Sequence, residues 1–106
     1  MALITLTTDF GTKDGYVGAM KGRILSIHPA ADITDITHEI PPQNTAEAAW
    51  CLRRAIPHFP DGSIHVAVID PGVGSARNPL LIYTANQWLI GPDNGIFSLL
   101  LNRLGA

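Results

Sequence analysis

The chain has 106 residues, a net charge of -2 at pH 7, and 46% hydrophobic against 15% charged residues. This length allows one small domain, and the apolar content argues against a disordered chain. The seven basic residues are scattered, which argues against a nucleic-acid-binding surface, and no apolar run approaches the ~20 residues that cross a membrane. The single cysteine, Cys51, excludes an internal disulfide and favours a cytoplasmic location.

Predicted strands and helices alternate along the chain. Helical spacing of apolar residues ends at Pro29, and the first helix carries Gly15, Gly18 and Gly22, which we expect to allow close packing against a sheet. Asn44 favours a helix start. In chain order, the predicted elements are strand Leu3–Thr8, helix Gly15–His28, strand Ala31–Thr37, a helix from Asn44 to about Ile56, strand Ile64–Ile69, strands Leu80–Thr84 and Gln87–Ile90, and a helix after Gly95.

This alternation predicts an α/β fold with a mainly parallel sheet and helices on both faces. The nearly continuous apolar run Ile64–Ile69 is typical of a strand that is covered on both sides. The strongly apolar final segment, Ile96–Leu104, requires packing partners on more than one side. We therefore expect the chain to be a fragment or to need a partner chain.

Polar residues follow several of the predicted strands. Asp9 follows the first strand, Asp70 follows the third, and Asp93 and Asn94 follow the last. Each carboxylate alone would more often cap a loop. Because ligands of open parallel sheets bind beyond the carboxyl ends of the strands, their shared placement favours a ligand-binding crevice.

The segment after the third strand is rich in glycine. Gly72-Val73-Gly74 begins like a dinucleotide-binding fingerprint, but Arg77 stands where the third glycine is required. The segment therefore forms either a turn that lets the backbone approach a ligand or a plain tight turn.

A divalent-metal site is a second interpretation of the same rim. Asp9, His38, Asp70 and Asp93 are suitable ligands, as in a metal-dependent phosphohydrolase. The absence of a His-x-His or Asp-x-Asp pair makes this the weaker hypothesis.

Four segments, taken in order, resemble the S-adenosyl-L-methionine (SAM) hydroxide adenosyltransferase family, which also includes fluorinases and chlorinases. They are Thr8–Gly22 (TDFGTKDGYVGAMKG), Asp35–Pro42 (DITHEIPP), Val68–Ser75 (VIDPGVGS) and Gly91–Gly95 (GPDNG). The resemblance spans nearly the whole chain but only the front portion of a family member. It implies an incomplete N-terminal domain of a two-domain enzyme, covering residues 1–106, that lacks the β-rich C-terminal domain. It also implies a homotrimer for the full-length protein, with each site shared between subunits.

The resemblance also implies a chemistry. Water or hydroxide attacks C5′ of the ribose of SAM, methionine leaves, and adenosine is the other product. No metal or other cofactor is expected, because the sulfonium is already a good leaving group. SAM is then the substrate and the small-molecule partner, with no nucleic acid or membrane involved.

The family's functional residues map onto a few positions. Asp9 matches the carboxylate that holds the ribose hydroxyls, and Asp70 and Arg77 match two members of the set that positions the water. The other residues expected to contact the substrate are Gly72, Val73, Gly74 and Asn94.

This chain departs from the family pattern in two ways. The family's histidine partner of the water-positioning set lies beyond residue 106, so a non-catalytic fragment or adenosine-binding module is the alternative to an active hydrolase. Gln43 and Asp70 stand where fluorinases have tryptophan and tyrosine. Both differences favour a hydrolase over a halogenase.

Overall fold

A computed structural model describes residues 2–69 and 79–105. Its elements are β1 (Leu3–Thr8), α1 (Tyr16–Ile27), β2 (Asp32–Thr37), α2 (Thr45–Ala55), a 3₁₀ turn (Ile56–His58), β3 (Ile64–Val68), β4 (Pro79–Thr84), β5 (Gln87–Pro92) and α3 (Ser98–Leu104). Every predicted element is present, with bounds that differ by a few residues.

The five described strands form one sheet in the order β2-β1-β3-β5-β4. β1, β2, β3 and β5 are parallel, and β4 pairs antiparallel with β5. The prediction of a mainly parallel sheet is therefore confirmed. The carboxyl ends of the four parallel strands share one edge, and this edge carries the candidate site.

The main hydrophobic core lies between one face of the sheet and helices α2 and α3. Ala67 of β3 and Leu89 of β5 face Leu52 of α2 and Leu100 of α3, and all four are buried. Burial of apolar side chains of this kind supplies about 1.5–3 kcal/mol for each large residue.

Helix α1 lies on the opposite face of the sheet. Thr7 of β1 is in register with Ala67, whose side chain lies in the core on the α2–α3 side of the sheet. Because successive side chains of a strand point to opposite faces, the side chain of Leu6 points to the other face. Leu6 is in register with Asp35, and Asp35 accepts a hydrogen bond from Lys21 of α1. The prediction of helices on both faces is therefore confirmed.

The glycines of α1 do not behave as predicted. A Cβ atom on Gly18 or Gly22 would meet no heavy atom within 4 Å, and α1 buries none of its residues. The expectation of close packing at these glycines is wrong, because they face open space. The close approach occurs at Gly91 in β5, where an added Cβ would lie 2.9 Å from the Phe97 ring.

The Asn44 cap forms as predicted. Its side chain accepts a hydrogen bond from the backbone N–H of Glu47 at 3.0 Å and so begins α2. Among the helices that the structure describes, none has the length and hydropathy needed to cross a membrane.

Candidate functional site

The carboxyl edge of the sheet brings together residues that are distant in the sequence. Asp9 follows β1, His38 follows β2, and Asp93 and Asn94 follow β5. Because these strands are parallel members of one sheet, their following loops lie along the same edge. The described part of the predicted rim therefore exists.

Asp9 is half-buried and is held by the loop after β2. Its Oδ2 accepts a hydrogen bond from the backbone N–H of Gln43 at 2.7 Å. Gln43 has a φ of 62°, a left-handed conformation that is uncommon outside glycine. The turn is closed by Asn44, whose N–H donates to the carbonyl of Pro41 at 2.9 Å. A backbone donor in a defined turn thus fixes the carboxylate, and a carboxylate has enough lone pairs to accept further hydroxyl donors.

His38 is a buried side chain beside the same turn. Its Nδ1 lies 2.7 Å from the hydroxyl oxygen of Thr8, and its carbonyl accepts a hydrogen bond from the N–H of Gly11 at 2.8 Å. The Thr8 hydroxyl also accepts a hydrogen bond from the N–H of Phe10 at 3.2 Å. His38 therefore contacts the residue before Asp9 in the sequence and the second residue after it.

A chain of polar contacts extends from His38 through Asp35 to Lys21 of α1. Nε2 of His38 lies 2.8 Å from Oδ1 of Asp35, in a geometry that is poorly aligned for a hydrogen bond. Nζ of Lys21 lies 2.8 Å from Oδ2 of the same carboxylate. Burial acts to raise the pKa of Asp35, but the contacts with Lys21 and His38 outweigh it and hold the pKa below its usual value. Asp35 is therefore a carboxylate at neutral pH.

Asn94 ties the loop after β5 to the end of β3. Its Nδ2 donates to the carbonyl of Ile69 at 2.8 Å, and its Oδ1 accepts from the N–H of Ile96 at 3.3 Å. The side chain thus braces the rim, and its predicted contact with substrate stays a prediction.

Two clefts border this edge. One of about 270 Å³ lies beside the Asp9 turn, lined by residues 10–14 and Glu39. A larger one, of about 580 Å³, lies between the loop after β2 and helix α2, with Glu39 and Trp50 in its wall. Clefts of about 300–1,000 Å³ are typical of small-molecule sites.

The remaining predicted site residues are outside the described part of the chain. They are Asp70, Gly72, Val73, Gly74 and Arg77. Their proposed roles stay predictions. Within residues 2–69 and 79–105, no group of three or more His, Cys, Asp or Glu side chains is placed to hold a metal ion. His38 is instead engaged with Thr8 and Asp35.

The contacts around Asp9 and Asp35 were missed by reasoning from the sequence. The bond from Gln43 depends on a left-handed residue after two prolines, and the Lys21–Asp35 contact joins a helix to a strand 14 residues later. Thr8 and His38 lie within the segments that resemble the family, and this was the feature of the sequence that pointed to them.

The fold and the rim define an open, mainly parallel α/β domain with a polar crevice beyond its strand ends. The family model for the SAM hydroxide adenosyltransferase N-terminal domain matches residues 4–106. The chain therefore belongs to the SAM hydroxide adenosyltransferase family, of which it represents the N-terminal domain.

The relatives whose names state an activity include hydrolases and fluorinases. A protein of Methanocaldococcus jannaschii named (R)-S-adenosyl-L-methionine hydrolase is 56% identical over 108 residues, covering 97% of this chain and 41% of its own length. A fluorinase of an Actinoplanes species is 32% identical over 126 residues, covering 97% of this chain and 42% of its own length. The chain thus spans about two fifths of the length of these relatives.

A solved structure has the same fold. The crystal structure of an uncharacterized conserved protein from Thermotoga maritima matches with a TM-score of 0.93 and 40% identity, covering 96% of this chain and 40% of that one.

Proposed function

We propose that this chain supplies part of a site that hydrolyses SAM to adenosine and L-methionine. The observation that carries the proposal is the 56% identity, over nearly the whole chain, to a relative named (R)-S-adenosyl-L-methionine hydrolase. The position of Asp9 at the carboxyl edge of the sheet, held by the Gln43 N–H, supports its assignment to the ribose.

In the proposed reaction the oxygen of water forms a bond to C5′ while the C5′–S bond breaks. The electron pair of that bond passes to sulfur, so methionine leaves as a neutral thioether, and the excess proton of water passes to solvent. The main task of the protein is alignment, which can contribute about 7–11 kcal/mol to lowering a barrier. Two ribose hydroxyls on the Asp9 carboxylate would give paired charge-assisted hydrogen bonds that orient C5′. We assign the positioning of water to Asp70 and Arg77.

A complete site is expected to need more than this chain, so the decisive experiment uses a chimeric protein. The 106-residue chain replaces the matching 41% of the Methanocaldococcus jannaschii relative. Adenosine and methionine are measured by chromatography and mass spectrometry, with the (R) and (S) sulfonium epimers of SAM compared because the relative's name specifies (R).

Asp9→Asn in this chimera is expected to lower adenosine formation by about 100-fold or more, since the ribose would lose its charged acceptor. The matched control is Asp61→Asn, in the exposed turn that precedes β3 at the opposite edge of the sheet. Adenosine formation by Asp9→Asn at the parent rate would contradict the role of Asp9.

A second candidate function is an adenosine-binding module without turnover. The chain spans about two fifths of the length of the hydrolases that it matches. Adenosine binding by the 106-residue chain without adenosine formation from SAM supports this candidate, and turnover by the chain alone rules it out.

A halogenase is less well supported, because identity to the fluorinases is 32% or lower. Formation of a 5′-halogenated deoxyadenosine in the presence of fluoride or chloride would support a halogenase instead of a hydrolase. A homotrimeric assembly and a cytoplasmic location are further parts of the proposal. They rest on the family resemblance and on the single cysteine, and the mass of the chimera by light scattering tests the assembly.

A further inference from the structure

His38 contacts the chain on both sides of Asp9. Its Nδ1 is 2.7 Å from the Thr8 hydroxyl, one residue before Asp9, and its carbonyl accepts the N–H of Gly11, two residues after it. His38 is 5% exposed and Thr8 is fully buried. A single buried residue on the loop after β2 therefore holds the turn that follows β1.

The groups around His38 indicate which atom donates and which accepts in its contact with Thr8. The Asp35 carboxylate lies 2.8 Å from Nε2 and is itself paired with Lys21. Although the contact is poorly aligned for a hydrogen bond, the negative charge of the carboxylate favours the tautomer with its proton on Nε2. Nδ1 is then free to accept the hydroxyl proton of Thr8. The Thr8 oxygen then accepts the N–H of Phe10. The Thr8 hydroxyl thereby donates to Nδ1 and accepts from Phe10.

We propose that His38 is a positioning residue, which fixes the turn of residues 8–11 so that the Asp9 carboxylate is held in one orientation at the carboxyl edge of the sheet. The proposal rests on the proposed function in assigning Asp9 to the ribose. His38 does not touch the substrate. It acts through Thr8 and Gly11.

A plain structural histidine is the competing interpretation, and the chain contains a matched example of one. His65 is also buried and lies 2.6 Å from a β1 threonine, Thr5, through Nδ1, and 2.5 Å from Gln87 through Nε2. It lies near the start of β3, away from the carboxyl edge. Substitution of His65 therefore perturbs a similar hydrogen-bonded histidine without touching the Asp9 turn.

Two substitutions separate the two nitrogens of His38. His38→Asn keeps an acceptor near the Nδ1 position for Thr8, whereas His38→Gln keeps a donor near the Nε2 position for Asp35 and loses the Thr8 contact. His65→Gln is the control. Amide hydrogen exchange of Phe10 and Gly11, measured by NMR on the 106-residue chain, reports the turn directly and requires no ligand.

We expect amide exchange at Phe10 and Gly11 to accelerate by about tenfold in His38→Gln, because this variant loses one buried hydrogen bond. In His38→Asn, which keeps that bond, we expect an acceleration of less than about threefold. His65→Gln is expected to leave these two amides unchanged. Unchanged exchange in His38→Gln, or equal acceleration in His65→Gln, overturns the proposal.

A double-mutant cycle with Asp9→Asn tests the link to ligand binding, with adenosine as the probe and calorimetry as the readout. His38→Gln is expected to weaken adenosine binding about tenfold with Asp9 present and less than about twofold with Asn at position 9. Equal weakening in both backgrounds contradicts positioning through Asp9. If Asp9→Asn alone leaves adenosine binding unchanged, the ribose assignment fails, and the exchange rates still decide the role of His38.

Discussion

Replacing Gly91 with alanine perturbs the closest approach between β5 and its neighbours. A Cβ atom at this position would lie 2.9 Å from Cζ of Phe97 and 3.0 Å from the carbonyl oxygen of Ala67. Carbon atoms pack best at about 3.5–4.0 Å, so the contact with Phe97 is too short, and the contact with the Ala67 oxygen is also tight. The Ala67 oxygen belongs to the backbone of the central strand β3, and Phe97 is 3% exposed in the core. The Ala67 oxygen cannot shift without moving β3, so this contact is the harder of the two to relieve.

The expected cost follows from this geometry. Overpacking a well-filled core costs about 1–3 kcal/mol, and a clash that includes backbone belongs in the upper part of this range. Since ~1 kcal/mol shifts the Tm of a domain of this size by about 4–8 °C, we expect Gly91→Ala to melt roughly 10–20 °C lower. The free energy of unfolding is measured by urea titration followed by circular dichroism.

Gly18→Ala is the matched control. Gly18 lies within α1, and an added Cβ meets no heavy atom within 4 Å. Alanine is a better helix former than glycine by about 0.8–1 kcal/mol, so this variant is expected to be more stable than the parent. A Gly91→Ala chain within about 0.5 kcal/mol of the parent would refute the packing argument.

Three further predictions concern single side chains. Burial lowers the pKa of His65, against the opposing effect of its hydrogen bond to Oε1 of Gln87. Below pH about 6.5 the unfolded chain therefore binds a proton that the folded chain excludes, and stability falls as the pH drops toward the lowered native pKa. Urea titrations between about pH 7.5 and 5 should show a shallower decline for His65→Gln, and identical slopes would count against this reasoning. Burial also raises the pKa of the Cys51 thiol, so its alkylation by iodoacetamide at about pH 7.5 is expected to be slower than that of free cysteine, and a faster reaction would contradict it. Asn44→Ala removes the cap on the Glu47 N–H and should cost about 1 kcal/mol in urea titration, whereas no loss would show that the cap is dispensable.

The order of the elements was predictable because it depends on local patterns. The alternation of apolar runs with Pro and Gly boundaries indicated each strand and helix, and the near-continuous apolar run of β3 indicated a covered central strand. The start of α2 followed from Asn44 alone. Such signals lie within a few residues of each other, so no tertiary information is needed to use them.

The contacts that position Asp9 were not predictable in the same way. The Gln43 N–H reaches Asp9 across 34 residues, and Thr8 meets His38 across 30. Both depend on strand order and on the conformation of the loop after β2, which no local pattern specifies. For the α1 glycines, the sequence indicated a contact that the structure lacks. Their presence in the helix predicted close packing against the sheet, but they face open space.

The central claim is that an oxygen from water becomes bonded to C5′ of the ribose. It is tested most directly by incubating the chimera with SAM in water enriched in ¹⁸O and measuring the mass of the adenosine formed. The proposed reaction predicts one ¹⁸O atom in adenosine, at the 5′ hydroxyl, and none in methionine. Adenosine without the label, or cleavage that leaves the sulfur attached to C5′, would contradict it.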